Sequence, residues 1–438
     1  MLTKLTLENF KSFQKAEIPL GPFTVLVGTN ASGKSNIREA LRFLHGIARD
    51  FTLAEIFGEK WIEGVPVWKG IRGGTREAAF HQEKTFAISL EAKTEKILIK
   101  DSSIPESNLC YRIKINVGEN GYPPRVIDER LCFNSNPNDF LFDTHPPKNA
   151  PKQNNPILIS VRLKKAKKGS SLKKFKNDKL VLSQIIELFV EMLRRSEYSF
   201  IGDFSLVWLY SSLLIQKIKS MRFFDFSPDA MRRRSIPGQP LGDQGENLSS
   251  VLYAICSDPK RKETLLQWVH ELTPMDVKDF DFPADETGRI LVSLIEENCQ
   301  KISAYSASDG TLRFLAMLAA LLSPEPARFY FFEELENGIH PTRLHLLLQL
   351  IEQKVSEGNI QVVATTHSPQ LLGLLSPQSQ EYASLTYRLS GQPDARIKRI
   401  LDIPEAQELL QKQNLTRLHS IGWLEHAVEF LEDEEEGE

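Results

Sequence analysis

This chain lacks long apolar runs, paired cysteines, internal repeats and any strong excess of one charge. No apolar stretch reaches the roughly 20 residues that a membrane helix needs, so the expectation is no membrane span. The start, Met1 to Leu7, alternates like a strand and lacks the basic, apolar and small-residue order of a secretory signal, which makes a cytoplasmic location the default. The 4 cysteines, Cys110, Cys132, Cys256 and Cys299, are scattered without any close pair. That spacing suggests neither a zinc site nor a disulfide framework and leaves buried or incidental thiols. A formal net charge of -3 over 438 residues excludes a protein that works through bulk charge. Helical patterns are short and carry no sustained heptads, so a long coiled coil is absent.

What is there is ordinary globular material, 41% hydrophobic and 25% charged, enough for about two or three packed units. Charge is local. Arg162 to Lys179 holds nine basic residues against one acid, Asp178, and Glu429 to Glu438 holds seven acids. The basic run could track a nucleic-acid backbone, although such runs are usually solvated loops. Arg232, Arg233 and Arg234 could add a second contact or an interdomain network. The acidic end reads as a disordered tail.

Residues 1 to about 130 alternate short strand patterns with one helix, and Asn120-Gly121 signals a hairpin; a mixed sheet is expected there. Asn134 to Pro156, with five prolines and six asparagines, reads as a connection without regular structure. From about 157 to 275 the pattern reads as helical, notably Leu180 to Ser196 and Asn247 to Cys256. After 289 strands and helices alternate, which predicts a parallel α/β core.

The densest signal lies near the amino terminus. Gly28, Thr29, Asn30, Ala31, Ser32, Gly33, Lys34 and Ser35 follow the apolar strand pattern Thr24 to Val27 and precede a helix pattern beginning at Asn36. A strand turning through glycines into a helix start aims backbone N–H groups at one point, where a triphosphate fits. Lys34 then reaches the β/γ-phosphates and Ser35 offers a hydroxyl to Mg²⁺. The plain alternative, a glycine turn, does not account for both the spacing and the context.

The second half supplies partners for that loop. An apolar strand, Arg328 to Phe332, delivers Glu333 and Glu334 to its carboxyl end. Neighbours on a strand face opposite sides, so Glu333 is assigned to the metal shell and Glu334 to the general base. An isolated acid pair could equally solvate a strand end. Ser308, Asp309 and Gly310 open the helix pattern Thr311 to Leu322 and form a second anion cradle. One nucleotide on one chain needs no second cradle, whereas a head-to-tail dimer does. His367 follows the strand pattern Ile360 to Thr365; a lone histidine is most often structural, but here it reads as a γ-phosphate sensor. Asp279 and Asp281 would suit a metal nuclease only with an accompanying acid-glycine pattern, which is missing.

In this order the motifs Gly-x-Asn-x-Ser-Gly-Lys-Ser, Ser-Asp-Gly, Glu-Glu-x-Glu-Asn-Gly-Ile-His-Pro and Thr-Thr-His-Ser-Pro resemble the ABC-type ATPase heads of the RecF, SMC and OLD-like group. The likeness is strongest to stand-alone bacterial AAA-like ATPases of phage-defence and toxin–antitoxin loci. The opening, Leu5 to Phe13, also resembles that group's first strand. The resemblance implies an α/β P-loop NTPase fold with an ABC-type head, built from a mixed sheet plus a parallel α/β core, and a helical insertion. It implies residues 1–133 and 289–425 as the two head parts, 134–288 as a mostly helical insertion or lid with a flexible basic segment, and 426–438 as the acidic tail.

By the same resemblance Gly28 to Ser35, with Asn36, is Walker A; Ser308 to Gly310 is the signature; Glu333 and Glu334 are Walker B; Glu336 to His340 is the D-loop; and His367 is the switch histidine. ATP and Mg²⁺ are the implied ligands, and hydrolysis to ADP and phosphate would use Lys34, Glu334 and His367. A homodimer or higher oligomer with composite ATP sites and a separately encoded effector are the implied partners, in antiphage defence. Three departures stand out. Glu333 occupies a position where aspartate is common, Asp309 replaces a glycine of transporter signatures, and only Gln82 offers itself as a glutamine-loop residue. Other readings are a RecF-like DNA-repair ATPase, a nucleotide-gated scaffold with little turnover, and a transporter subunit, against which the insertion and the opening strand argue.

Overall fold

The computed structural model describes residues 1–403 apart from 82, 100–101, 105, 119–120, 145–157, 167–168, 273–276, 340, 359 and 390. Gln82, His340, Asn120, the acidic end and part of the proline-rich stretch therefore lie outside the described residues. The chain forms two compact units: Met1–Gly21, Ala31–Ser220 and Thr386–Ile397 make the first, and Pro22–Asn30, Met221–Leu385 and Lys398 onward make the second.

In the first unit an antiparallel 8-stranded sheet runs in the order Ser170–Lys176, Leu158–Lys164, Phe140–Asp143, Arg125–Phe133, Asn108–Asn116, Thr85–Lys93, Leu2–Phe10, Phe13–Pro19. Every second residue of Asn108–Asn116 is buried, the period-2 pattern of a half-solvated sheet. The helix Lys34–Ala48 buries Ile37, Leu41 and Leu44 on one face, and Phe43 meets Phe86 of the sheet edge-on at 5.5 Å.

The second unit holds Met221–Phe224, Phe329–Phe332, Gln361–Thr366 and Phe23–Val27, the first four strands of a 6-stranded sheet whose order continues with Ala383–Tyr387 and Arg396–Arg399. Phe329–Phe332 pairs in parallel with both of its neighbours, and so does Phe23–Val27. The helix Pro341–Ser356 is the crossover between two of these parallel strands. Phe23–Val27, Phe329–Phe332 and Gln361–Thr366 are buried throughout, as central parallel strands must be.

The α/β class holds, but two expectations change. The phosphate-loop strand does not join the amino-terminal sheet; it belongs to the parallel core, so the expected mixed sheet is two sheets of different kinds. The stretch from 157 is not helical until Val181, because Leu158–Lys164 and Ser170–Lys176 form an antiparallel hairpin closed through Gly169 at φ 85°. Lysines recur often enough there to mask the alternation of Ile159, Val161 and Leu163, all buried. The basic run is thus largely an edge hairpin, where lysines also guard an open strand edge. Phe140–Asp143 adds a strand inside the segment read as irregular, and after 289 the first strand is Ser293–Glu296.

Candidate functional site

The phosphate loop begins where the buried strand Phe23–Val27 ends. Its tip, Thr29, Asn30 and Ala31, is exposed, while Ser32, Gly33 and Lys34 are buried. Ala31 and Gly33 adopt left-handed backbone, φ 64° and 115°. A Cβ on Gly33 would stand 2.7 Å from Phe13 Cζ, so both the dihedral and the space demand glycine. Gly33 then caps the helix Lys34–Ala48 without any side-chain hydrogen bond, and no acid occupies the first turn. The loop is braced from outside: Ser32 Oγ lies 2.7 Å from Thr386 Oγ1, and Asn36 Nδ2 donates to Ser12 Oγ at 2.7 Å. The opening Phe10-Lys11-Ser12-Phe13 therefore has a physical job, since it shapes the loop.

At the end of Phe329–Phe332 the chain is pinned to both neighbouring strands. Glu333 N donates to Phe224 O at 2.9 Å, Glu334 N to Thr365 Oγ1 at 3.0 Å and Leu335 N to Thr365 O at 3.0 Å. Glu334 takes φ 48°, a left-handed conformation that costs a non-glycine residue about 1–3 kcal/mol and persists only where the surroundings enforce it. The premise that Glu333 and Glu334 face opposite sides of a strand therefore fails. The strand ends at Phe332, the chain turns, and both residues line one small cleft with Asp225, Arg313 and Asn337.

Glu334 is held at both carboxylate oxygens. Asn337 Nδ2 donates to Oε2 at 3.0 Å, and His367 Nε2 lies 3.2 Å from Oε1. The other ring nitrogen, Nδ1, lies 3.0 Å from the carbonyl oxygen of Gly28, and His367 N donates to Glu336 Oε1 at 2.8 Å. Gly28, Glu334, Glu336, Asn337, Thr365 and His367 thus make one hydrogen-bonded group within the second unit. Its hub is the imidazole, oriented at both ends.

Ser308 caps the helix Asp309–Leu322, its Oγ accepting from Thr311 N at 3.1 Å. Arg232 donates to Asp309 Oδ1 at 2.7 Å and to Ala307 O at 3.1 Å. A Cβ on Gly310 would fall 2.0 Å from Gly338 O, so the cradle turn rests directly on the Glu336–Gly338 segment. Lys34, Ser35 and Asn36 belong to the first unit, and Ser308, Asp309, Gly310 and Glu333 to the second.

Two family models cover this arrangement. One, described as "AAA ATPase domain", matches residues 1–200, and one described as "AAA domain, putative AbiEii toxin, Type IV TA system" matches residues 201–373. Together the two models match residues 1–373 to AAA-type domains, the first of them an ATPase domain. It is 22% identical over 386 residues to an "ATP/GTP phosphatase" of Helicobacter pylori, covering 87% of this chain and 89% of that protein. A segment of 47 residues, 10% of this chain and 4% of the other, is 55% identical to the "Chromosome partition protein Smc" of Methanocaldococcus jannaschii. Among solved structures, an Smc head bound to the C-winged helix domain of ScpA matches with TM-score 0.46 and 12% identity, covering 91% of this chain and 97% of that one. The SMC head domain from Thermotoga maritima matches with TM-score 0.37 and 13% identity, covering 91% and 98%.

Several features of this ATPase were not visible in sequence. Arg232 meets Asp309 across 77 residues, and no local pattern marks the pair. Asn337 and Thr365 could have been singled out, because each lies inside a motif already noticed. In the basic run, Arg162 pairs with Asp143, Lys164 with Asp139, Lys165 with Asp203, and Lys179 with Asp50 and Glu187. Asp279 and Asp281 are paired with Lys262 and Lys301, and Lys301 holds Asp281 below the usual carboxylate range. Among the described residues no group of three or more His, Cys, Asp or Glu side chains gathers in a metal-holding cluster, and no helix is long and apolar enough to cross a membrane.

Proposed function

We propose that this ATPase hydrolyses ATP to ADP and phosphate and uses the nucleotide to switch association with a second copy of itself. The observation that carries the reading is the hydrogen-bonded group around His367. It ties the first residue of the phosphate loop, Gly28, to the carboxylate that would polarise water, Glu334. The phosphate loop suits a triphosphate, because its cap residue is a glycine without a side chain, its first turn holds no acid and that glycine cannot be replaced without collision. Ser35 and Glu333 would hold Mg²⁺, which supplies charge neutralisation on phosphate oxygens.

The residues divide the work. Lys34 brings an ammonium to the β/γ-phosphates, and the backbone from Gly28 to Asn36 wraps them. Glu334 orients the attacking water and accepts its proton, with Asn337 and His367 fixing the carboxylate beforehand. His367 senses the γ-phosphate through the same hydrogen bonds. Ser308, Asp309 and Gly310 close on the nucleotide of a second copy, Ser308 donating its hydroxyl hydrogen while its oxygen keeps the helix cap. The "ATP/GTP phosphatase" name of the Helicobacter pylori relative supports turnover.

The biological role we favour is the sensing and regulating subunit of a bacterial antiphage system that acts through a separate effector. Support comes from the toxin–antitoxin description of the model matching residues 201–373. A scaffold with slow turnover is the second reading, favoured by the Asp309–Arg232 pair at the cradle. A DNA-binding reading loses support, since much of the basic run is ion-paired. The decisive test is Glu334→Gln, expected to cut phosphate release on the order of 10²- to 10⁴-fold while ATP binding persists. Unchanged turnover would remove Glu334 from the chemistry, and no turnover in the parent protein under any ligand condition would favour the scaffold.

A further inference from the structure

Two cysteines that stand 22 positions apart in sequence are brought face to face in the first unit. Cys110 lies in Asn108–Asn116 and Cys132 in Arg125–Phe133, and the antiparallel register pairs them directly. Directly opposed residues in such a pair have Cα atoms about 4.5 or 5.5 Å apart and side chains on the same face. Both spacings fall inside the roughly 4.4–6.8 Å window of a disulfide. Cys132 is buried and its thiol points back over the neighbouring strand, Sγ donating to Cys110 O at 3.6 Å. Cys110 is partly exposed.

We propose that Cys110 and Cys132 are a peroxide-reactive dithiol, a covalent modification site in which Cys110 is the attacking sulfur and Cys132 the resolving one. The environments divide the roles in the same way. The Cys132 side chain beside it, helped by Ser135, holds Cys110 down to about 7, whereas the neighbouring Cys110 side chain and burial push Cys132 up. Cys256, by contrast, is pushed up to about 12 by burial. A thiolate that can reach solvent is the form that attacks a peroxide.

The chemistry balances with a hydroperoxide as the oxidant. The Cys110 thiolate attacks the terminal oxygen, an S–O bond forms, the O–O bond breaks and the alcohol or water leaves with a proton. The sulfur of Cys132 then attacks Cys110, its proton passing to the leaving oxygen, so that the S–O bond breaks and water departs. Two thiols have lost two electrons and the peroxide has gained them. A dithiol reductant reverses the change.

The test uses the full reduced chain and hydrogen peroxide. Thiols counted under denaturing conditions should fall from 4 to two. Peptide mapping without reduction should find one cross-linked species joining the segments of Cys110 and Cys132, with Cys256 and Cys299 still open to alkylation. Dithiothreitol should restore all the thiols. In Cys132→Ser, Cys110 should progress to sulfinic acid instead of stopping at a disulfide. A cross-link through any other pair, or over-oxidation of Cys110 in the parent chain with Cys132 still free, overturns the proposal. The mapping on the parent chain decides it even if the variant folds poorly.

Discussion

Three helix starts in this molecule handle the same physical problem, the unpaired N–H groups of a first turn, in three different ways. At Val181–Arg194 the solution is a buried side chain from another element: Glu129 takes hydrogen bonds from Val181 N at 2.7 Å and Leu182 N at 2.8 Å. At Asp309–Leu322 it is internal, with the Ser308 cap and an acid in the first turn already matched to Arg232. At Lys34–Ala48 the cap residue is a left-handed glycine, which has no side chain to offer. The comparison teaches that, of the three cap residues, only the one at Lys34–Ala48 has no side chain and a left-handed backbone, the arrangement that the proposed nucleotide site calls for. The Ser308 start is partly satisfied already by its own cap and by the Asp309–Arg232 pair.

The largest effect should come from filling the open start. Gly33→Ala has to place a Cβ against Phe13 with φ at 115°; ATP affinity measured by titration should weaken about 1,000-fold, roughly 4 kcal/mol. If affinity survives, the open start is not the nucleotide cradle and the contrast with Ser308 collapses.

The buried carboxyl of Glu129 can be tested by pH. Burial lifts Glu129 from an ordinary value of 4.5 to about 7 in the folded chain, against the hydrogen bonds of Leu182, Val181 and Tyr111. Between those values the folded chain keeps a proton that the unfolded chain has lost. Stability contributed at this site is therefore greatest below 4.5 and declines as pH rises to about 7, on the order of 3 kcal/mol in total. Urea unfolding across that range should show the decline, and Glu129→Gln should flatten it; an equal slope in both proteins would assign the pH dependence elsewhere.

Smaller effects belong to the self-satisfied start. Arg232→Ala leaves the Asp309 charge facing an incoming phosphate, and turnover at saturating ATP should drop about tenfold. Adding Asp309→Gly should recover most of it; no recovery would mean that Arg232 serves the fold instead. Ser308→Ala removes the cap and should lower stability by about 1 kcal/mol, read as a shift of the thermal midpoint. A stability loss near zero would show that Thr311 does not depend on the Ser308 oxygen.

How far this was legible in sequence varies with the range of the interaction. The strand, glycine loop and helix around Lys34 are local, and local chemistry writes them plainly. The strand patterns Arg328 to Phe332 and Ile360 to Thr365 were equally plain, because parallel core strands are largely apolar. The hairpin of Leu158–Lys164 and Ser170–Lys176 was misread as the start of a helical region, since frequent lysines blurred a period of two. Cys110 and Cys132 looked unrelated because strand register is not a property of either strand alone. The opposite-face argument for Glu333 and Glu334 failed for a local reason, the left-handed turn at Glu334, which no glycine or asparagine announced.

By itself the sequence determined the local pieces: a glycine-led loop, a carboxylate pair and a histidine, each at the end of an apolar strand or the start of a helix, where backbone geometry fixes what a residue can reach. Only the tertiary structure decided which of these act together. It joined Gly28, Glu334, Asn337 and His367 through hydrogen bonds between different strand ends, gave Asp309 its counter-charge in Arg232, and set Cys110 against Cys132. Those pairings depend on strand order, register and turns, which arise from packing the whole chain.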